Sequence, residues 1–370
     1  MKHLFIILVL LFLVSCASNN TNKTPYYPVP DEVTMLTEDN MPKVETFTLE
    51  KIPLPTKYLV ANSYYVYQDS IIIILNYSNT NPYLISVYNL NTKQEIAGYF
   101  KKGNGPNELL SLRGHFNNKN LLLKDSNLHA LTQLNMDSVI VKRYDYVPKI
   151  IYHEAYMMTA YELLGNDTIV STNGMFIKGF DVDEVPEFEL YDAKTGKALQ
   201  KYAQNEKNFP PNAVMRTMTY SNSKFIVCWN KFPVISIYDK EFNIIKQYRD
   251  SKYEDCKLSL DGEFNEIAYL EEFPLYFNLE CKTNNNIVIS NVRCNLKYKE
   301  IKSQEHFDKI QNKDYEIWIF DTDMNFKRRL KPESTLDFPK RVSYCEESNT
   351  IYLTSRDEDG ENALFKCVLK

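Results

Sequence analysis

Beyond the first forty residues, apolar and polar positions change places in short β-type runs, and the runs recur in one order. Residues 71–100 read IIIIL, a polar turn, YLISVYNL, the turn NTKQ and then EIAGYF. Residues 225–248 read FIVCW, a short turn, VISIYD, the turn KEFN and then IIKQY. The same grammar appears at 168–202 (TIVST, an insertion, FELYD, AKTGK, ALQKY) and at 287–330 (IVIS, an insertion, YEIWIFD, TDMN, a short last strand). A weaker copy runs from LLLKD at 121 through HALTQL to a strand at 138–144, SVIVKRY. The last copy joins IYLTS at 351 to ALFKCV at 363–368. Each unit is thus an apolar run, an alternating strand ending in an aromatic plus Asp or Asn, a tight polar turn and another strand. A further weak strand precedes each run, as in SYYVYQ at 63–68, MTYSN at 218–222 and VSYCE at 342–346. Thr195-Gly196 and Asp359-Gly360 supply hairpin signals, and Asn, which tolerates left-handed backbone, fills many turns in a chain with only 10 Gly.

Six four-stranded antiparallel units, recurring roughly every 50–60 residues, predict an all-β fold, a six-bladed β-propeller. One four-stranded sheet cannot cover both of its faces alone, whereas six arranged radially cover one another and expose only short edges. The last unit supplies three strands before Lys370, so its outer strand is expected from Val44–Leu49 (VETFTL), which would close the ring. Strands alternate in direction within a blade, so the links between blades and the second-to-third-strand loops emerge at one end. Those connections are long here (100–113, 146–160, 173–187, 203–217, 249–272 and 291–314), while the turns at 91–94, 193–197 and 240–243 are minimal. Long loops on a rigid scaffold carry function, which makes the long-loop end the expected binding face. Arg113, His115, His153, Tyr156, Arg216, Arg293 and Arg341 fall near it. Arg113, Arg216 and Arg341 each start an innermost strand; such a ring suits a carboxylate or sulfate, and pairing with blade-edge acids is the alternative.

The N-terminus speaks of address. Residues 1–15, MKHLFIILVLLFLVS, form a basic start and an apolar run too short to span a bilayer comfortably, which reads as a secretion signal. Leu13-Val14-Ser15-Cys16 is similar to the lipobox of bacterial lipoproteins, and that similarity implies a mature chain starting at a lipid-bearing Cys16. An ordinary signal peptide with a chance cysteine is the alternative. Several acyl chains, at about 0.8 kcal/mol per buried CH₂, would hold such a protein firmly on a lipid bilayer. Residues 16–42 are then the lipidated cysteine and a flexible, polar to proline-rich tether, and 43–370 the propeller domain. No acidic run follows Cys16, which favours a periplasm-facing protein of the cell envelope, on the outer membrane. Loss of residues 1–15 removes one lysine and moves the formal charge from −5 to −6; with no basic patch, nucleic acid is excluded as a partner. Besides Cys16 there are six cysteines. Cys228, Cys345 and Cys367 lie in apolar runs and read as buried hydrophobes, while Cys281 and Cys294 flank one strand and could pair. No C-x-x-C is present, so neither a zinc knuckle nor a redox dithiol is supported.

Gly103-Asn104-Gly105-Pro106-Asn107-Glu108 is the one motif with a chemical look. A phosphate loop needs a helix directly after it and a Gly-Lys-Ser/Thr ending; ELLSLRGHF offers neither. The structural reading is that Gly103 and Gly105 allow unusual backbone angles, Pro106 fixes the exit, and Glu108 accepts backbone N–H groups or pairs with a cation. Lipobox, tether, closing strand, six degenerate units and this G-x-G-P-x-E motif together resemble the TolB-like six-bladed propeller lipoproteins common in gut-type bacteria. The resemblance implies fold and address more than reaction. Catalytic signatures are missing: no H-E-x-x-H, no G-x-S-x-G elbow, and Asp357-Glu358-Asp359-Gly360 lacks calcium-loop spacing. No metal site or cofactor is implied. The charged stretch at 297–313 reads as a solvated helical insertion. Two functions stay open: a membrane-anchored scaffold that binds a protein or glycan through its long-loop face, or a metal-dependent hydrolase or lyase acting on carbohydrate in the central channel.

Overall fold

A computed structural model describes residues 30–59, 63–76, 81–105, 107–125, 127–154, 158–165, 167–173, 188–202, 216–229, 234–251, 258–260, 268–270, 276–294, 313–333, 341–357 and 359–370. Three short strands come first: β1 (Val33–Leu36), β2 (Val44–Phe47) and β3 (Glu50–Ile52). A first meander follows, β4 (Ser63–Tyr67), β5 (Ile71–Leu75), β6 (Ile85–Asn89) and β7 (Gln94–Tyr99), and then a crossing pair, β8 (Lys101–Lys102) and β9 (Glu108–Leu109). The second meander is β10 (Arg113–Asn117), β11 (Asn120–Asp125), β12 (Ala130–Asn135) and, after helix α1 (Met136–Lys142), β13 (Lys149–Tyr152). The third is β14 (Met158–Leu164), β15 (Thr168–Asn173), β16 (Phe188–Asp192) and β17 (Ala198–Tyr202). The fourth is β18 (Arg216–Ser221), β19 (Lys224–Trp229), β20 (Val234–Tyr238) and β21 (Ile244–Asp250). A small hairpin, β22 (Leu258–Leu260) and β23 (Ala268–Leu270), leads to the fifth, β24 (Tyr276–Lys282), β25 (Asn286–Cys294), β26 (Lys313–Asp321) and β27 (Phe326–Pro332). The chain ends with β28 (Arg341–Cys345), β29 (Thr350–Arg356) and β30 (Asn362–Val368).

The recurring aromatic-plus-Asp/Asn has a local cause. Asn89, Asp192, Asp239 and Asp321 each accept two backbone N–H groups from the turn that follows, which folds the chain back into the outer strand. The pairing register slips by one residue at the aromatic before it (Tyr88, Tyr191, Tyr238, Phe320), so the hairpin carries a β-bulge. Between successive meanders lie separate apolar clusters. Ile52, Tyr64, Ile72, Cys345 and Leu364 join the last sheet to the first; Leu122, Ile151, Tyr161 and Tyr191 join second to third; Val170, Phe188, Phe225 and Tyr238 join third to fourth; Ile226, Ile237, Ile289 and Trp318 join fourth to fifth. The architecture is all-β and propeller-like. Among the described residues no helix is long and apolar enough to cross a membrane.

Four expectations change. The outer strand of the last sheet is not Val44–Leu49: β2 pairs in parallel with β27, and it is β3 that pairs antiparallel with β30. Residues 33–36, assigned to the flexible tether that was expected to run to residue 42, instead form β1, which pairs in parallel with β21. Residues 33–52 are therefore a strap laid over three sheets in turn. Arg329, 3 % exposed, is gripped by Glu316 of its own sheet (2.6 and 2.7 Å) and by Glu38 of the strap (2.5 and 3.1 Å). Arg328 reaches Glu45 with two further bonds. The strand expected at 138–144 is helix α1, because Asn135 accepts the Ser138 N–H at 3.0 Å as an N-cap and Met136 and Val139 bury one face. Lastly, Cys281 stands opposite Val288 in the β24–β25 ladder, six residues along from Cys294, a separation of roughly 20 Å at the strand rise. No disulfide spans that; Cys281 is a buried free thiol, as are Cys228, Cys345 and Cys367.

Phe47 puts the strap into the main core at 6 % exposure, whereas Val44 is 39 % exposed. Phe47→Ala is expected to cost about 3 kcal/mol and Val44→Ala less than about 0.5 kcal/mol. Equilibrium urea unfolding of the two variants checks this; equal, small losses would mean that the strap contributes nothing.

Candidate functional site

The first strands of the meanders face one another, and a polar bond joins each neighbouring pair. Tyr65 Oη donates to the Gly114 carbonyl (2.8 Å), and Tyr161 Oη to that of Arg113 (2.9 Å). Thr219 Oγ1 donates to Glu162 (3.1 Å), and the Leu279 N–H to Thr217 Oγ1 (2.8 Å). The Val342 N–H donates to Glu280 (3.2 Å), and the Val66 N–H to Ser343 Oγ (3.1 Å). Six inner strands are linked in a cycle: β4, β10, β14, β18, β24, β28 and back to β4.

A backbone ladder crosses that cycle. β10 pairs in parallel with β24, Phe116 opposite Cys281 and Asn117 opposite Lys282, and the Asn118 N–H donates to the Lys282 carbonyl at 2.8 Å. The centre is thereby divided. On one side, between β10, β14, β18 and β24, sits the Glu162 carboxylate, 1 % exposed. It accepts from Asn117 Nδ2 (2.9 Å), Thr219 Oγ1 (3.1 Å) and the Leu163 and Tyr220 N–H groups (both 3.2 Å), and lies 3.8 Å from His115 Nε2. Burial acts to raise its pKa, and His115, Asn117 and the Leu163 N–H outweigh that, holding the carboxyl below the usual carboxylate range. Glu280 is consumed in a similar way by Asn278 Nδ2 (2.8 Å), Ser290 Oγ (2.5 Å) and the Val342 N–H, with Arg341 Nη1 at 4.0 Å.

On the other side, β4, β10, β24 and β28 frame a cavity of about 710 Å³ that opens at the end carrying the first-to-second-strand turns. Its floor is buried Val66, Phe116, Cys281, Ser343 and Cys345. Burial pushes both thiols up, that of Cys345 to about 12, so they act as apolar surface rather than nucleophiles. Tyr67 stacks on Phe116 (6.0 Å between centroids, 25°) and, with Tyr344, gives the cavity aromatic walls. The rim is set by turns whose residues adopt left-handed backbone: Gln68 (φ 48°), Asp69 (57°) and Asn118 (50°). Asp69 is held by Ser348 Oγ (2.7 Å) and Tyr352 Oη (3.0 Å), and Glu346 by Asn285 Nδ2 (2.5 Å). Asp137 takes Tyr67 Oη (2.8 Å) and Lys119 (3.2 Å).

The sequence-derived candidates lie elsewhere. Arg113, Arg216 and Arg341 are the first residues of β10, β18 and β28, at the opposite end of the inner strands from the cavity mouth. Arg113 is exposed; Arg216, 1 % exposed, lies 4.1 Å over the Trp229 ring; Arg341 is directed at Glu280. Arg293 of β25 stands opposite Asp314 of β26, and its side chain, like Tyr156, Pro106, Cys16 and residues 297–312 of the insertion expected at 297–313, is outside the described residues. The two loop glycines do not supply unusual backbone angles: neither has a positive φ, which Phe100 and Asn107 adopt instead. They supply room, since a Cβ at Gly103 or Gly105 would collide with the Glu108 carboxylate, which accepts the Gly105 N–H at 2.8 Å. Glu162, Glu280 and the rim acids carried a faint signal, a carboxylate at an inward position of an apolar strand or in a tight turn.

Two solved structures are similar in fold. A member of the DUF4221 family from Bacteroides vulgatus superposes with a TM-score of 0.58 at 13% identity, covering 88% of this chain and 97% of its own. A Bacteroides fragilis protein whose name marks it as exported gives 0.53 at 12%, covering 92% and 98%. No protein-family model matches the chain, and neither does any curated protein.

His153 is buried between His129 (6.1 Å) and Tyr191 (6.2 Å), and burial, then His129 and Lys124, push it down to about 4. Its folded-state value lies below the unfolded one, so its neutral form stabilises the fold above about pH 6.5, and that contribution is lost as pH falls from there to 4. Between pH 7 and pH 5 the wild type is expected to lose about 2 kcal/mol more than His153→Phe. Urea unfolding at both pH values measures it; parallel losses would show that His153 is not held neutral.

Proposed function

We propose that the chain is an exported, lipid-anchored binding protein built as a closed six-bladed propeller, each meander one blade and β3 the outer strand of the last. The cycle of polar bonds between inner strands and the cluster shared by first and last sheets support the ring. The apolar N-terminal run, Cys16 after Leu13-Val14-Ser15, and a structural relative named as exported support an envelope protein held on the outer membrane and facing the periplasm, as the TolB-like resemblance implies.

One observation carries the binding reading: the 710 Å³ cavity, walled on one side by the β10–β24 pairing, floored by buried side chains and open at the turn end. Its volume falls in the range of small-ligand sites, and its apolar floor with a polar rim is the composition such sites have. The central carboxylates that a channel hydrolase or lyase would use, Glu162 and Glu280, already accept hydrogen bonds from their own and neighbouring strands. A binding role is the reading that their geometry favours. The long-loop face remains a second surface for a protein or glycan partner.

Cys16→Ser is expected to move the protein from the membrane pellet to the soluble envelope fraction. Against a panel of amines, peptides and neutral and acidic oligosaccharides, at least one class is expected to raise the melting temperature of the wild type. Asn284→Trp, which fills the cavity from its exposed rim, should abolish that shift. A panel without any shift, or one unaffected by Asn284→Trp, would end the cavity reading.

A further inference from the structure

The geometry points to the chemical class of ligand: a cation carried on an apolar stem, a primary ammonium or guanidinium borne by a free amine or by a peptide side chain. This deepens the cavity reading and rests on it. Four carboxylates line the cavity (Asp69, Asp137, Glu346, Glu347) against two lysines, Lys119 and Lys282. The lysines do not neutralise the rim. Lys119 is committed to Asp137 at 3.2 Å, and Lys282 turns its ammonium to within 3.5 Å of Asn117 Oδ1, toward the Glu162 side of the divide. Among the described residues no cation pairs with Asp69, Glu346 or Glu347, which line the opening as an acidic arc on two adjacent turns, β4–β5 and β28–β29.

Beneath the arc lie Val66, Phe116 and the two uncharged thiols, with Tyr67 and Tyr344 beside them. A hydrated anion would meet like charge at the rim, and a small hydrated cation would leave the floor empty. A group with an apolar body satisfies both levels: the stem covers the floor, and the charge stays at the rim near carboxylates and aromatic faces. The turns need no rearrangement to receive it, since Ser348 and Tyr352 already hold Asp69, and Asn285 holds Glu346.

Titration calorimetry with the full chain tests this with four probes: phenethylamine, a leucine-flanked lysine peptide capped at both termini, the same capped peptide with its lysine Nζ-acetylated, and a neutral oligosaccharide. Saturable binding is expected for both amines and not for the acetylated peptide, weakening as salt rises. Glu347→Gln, at an exposed rim position, is expected to weaken it roughly five- to tenfold without changing thermal stability. Asn284→Trp should abolish it. Binding of phenethylamine alone identifies a free amine as the source, and binding of the lysine peptide alone a peptide. Equal binding of the acetylated peptide, or of the oligosaccharide in place of the amines, overturns the cationic class and leaves the cavity standing. No binding by any probe, with a silent wider panel, overturns both.

Discussion

The short parallel pairing of β10 with β24 is the constraint on which the centre of this protein depends. Inner strands of a propeller-like fold point their backbones at a space that other folds leave to water. Here two strands from facing sheets come close enough to bond, Asn117 opposite Lys282, and the Asn118 N–H closes on the Lys282 carbonyl. A backbone group sealed away from water must find a partner. The pairing supplies one and in doing so partitions the middle into unlike halves. One half is filled by Glu162 and its donors, where an ionised carboxylate persists because four hydrogen bonds replace its hydration. The other half has no such plug and remains a cavity with a floor.

The strap solves a different problem, that of the outer rim. Outer strands present unpaired N–H and C=O groups that invite other chains, and β1, β2 and β3 cover three of those edges in succession. The strap is fixed by more than ladders. Arg329 is shared between Glu316 and Glu38, one on the sheet and one on the strap, in bidentate geometry at both. A buried guanidinium is tolerable only while both carboxylates are in place, so the ion cluster ties the seating of β1 to that of β2. It specifies which strand lies on which sheet more than it adds stability.

Much of the strand pattern could be read from residues alone because it is written locally. The Asx turns of Asn89, Asp192, Asp239 and Asp321 repeat one physical device, and repetition made the units visible. What depended on distant partners could not be read. VETFTL and the three residues after it both look like edge strands, and only the sheets they meet decide that Val44–Phe47 serves β27 and Glu50–Ile52 serves β30. SVIVKRY has the β-branched content of a strand, yet one cap bond from Asn135 turns it into helix. Gly103 and Gly105 drew notice for conformational freedom, while their use is to leave space for Glu108. The cavity was beyond reach altogether, since its floor takes one or two residues from each of four sheets.

Location follows from these particulars. Long connections drew the expectation of binding to one end, on the general ground that length carries function. The cavity opens at the other end, among turns that are short because Gln68, Asp69 and Asn118 accept left-handed geometry. Short, bonded turns hold their polar groups where they are before any ligand arrives, and preorganised groups lose less freedom on binding than long loops do. In the binding role proposed for it, a pre-set acidic rim above an apolar floor would select by charge placement first and by shape second. The backbone pairing that divides the centre also fixes β10 and β24, whose turns carry one side of that rim.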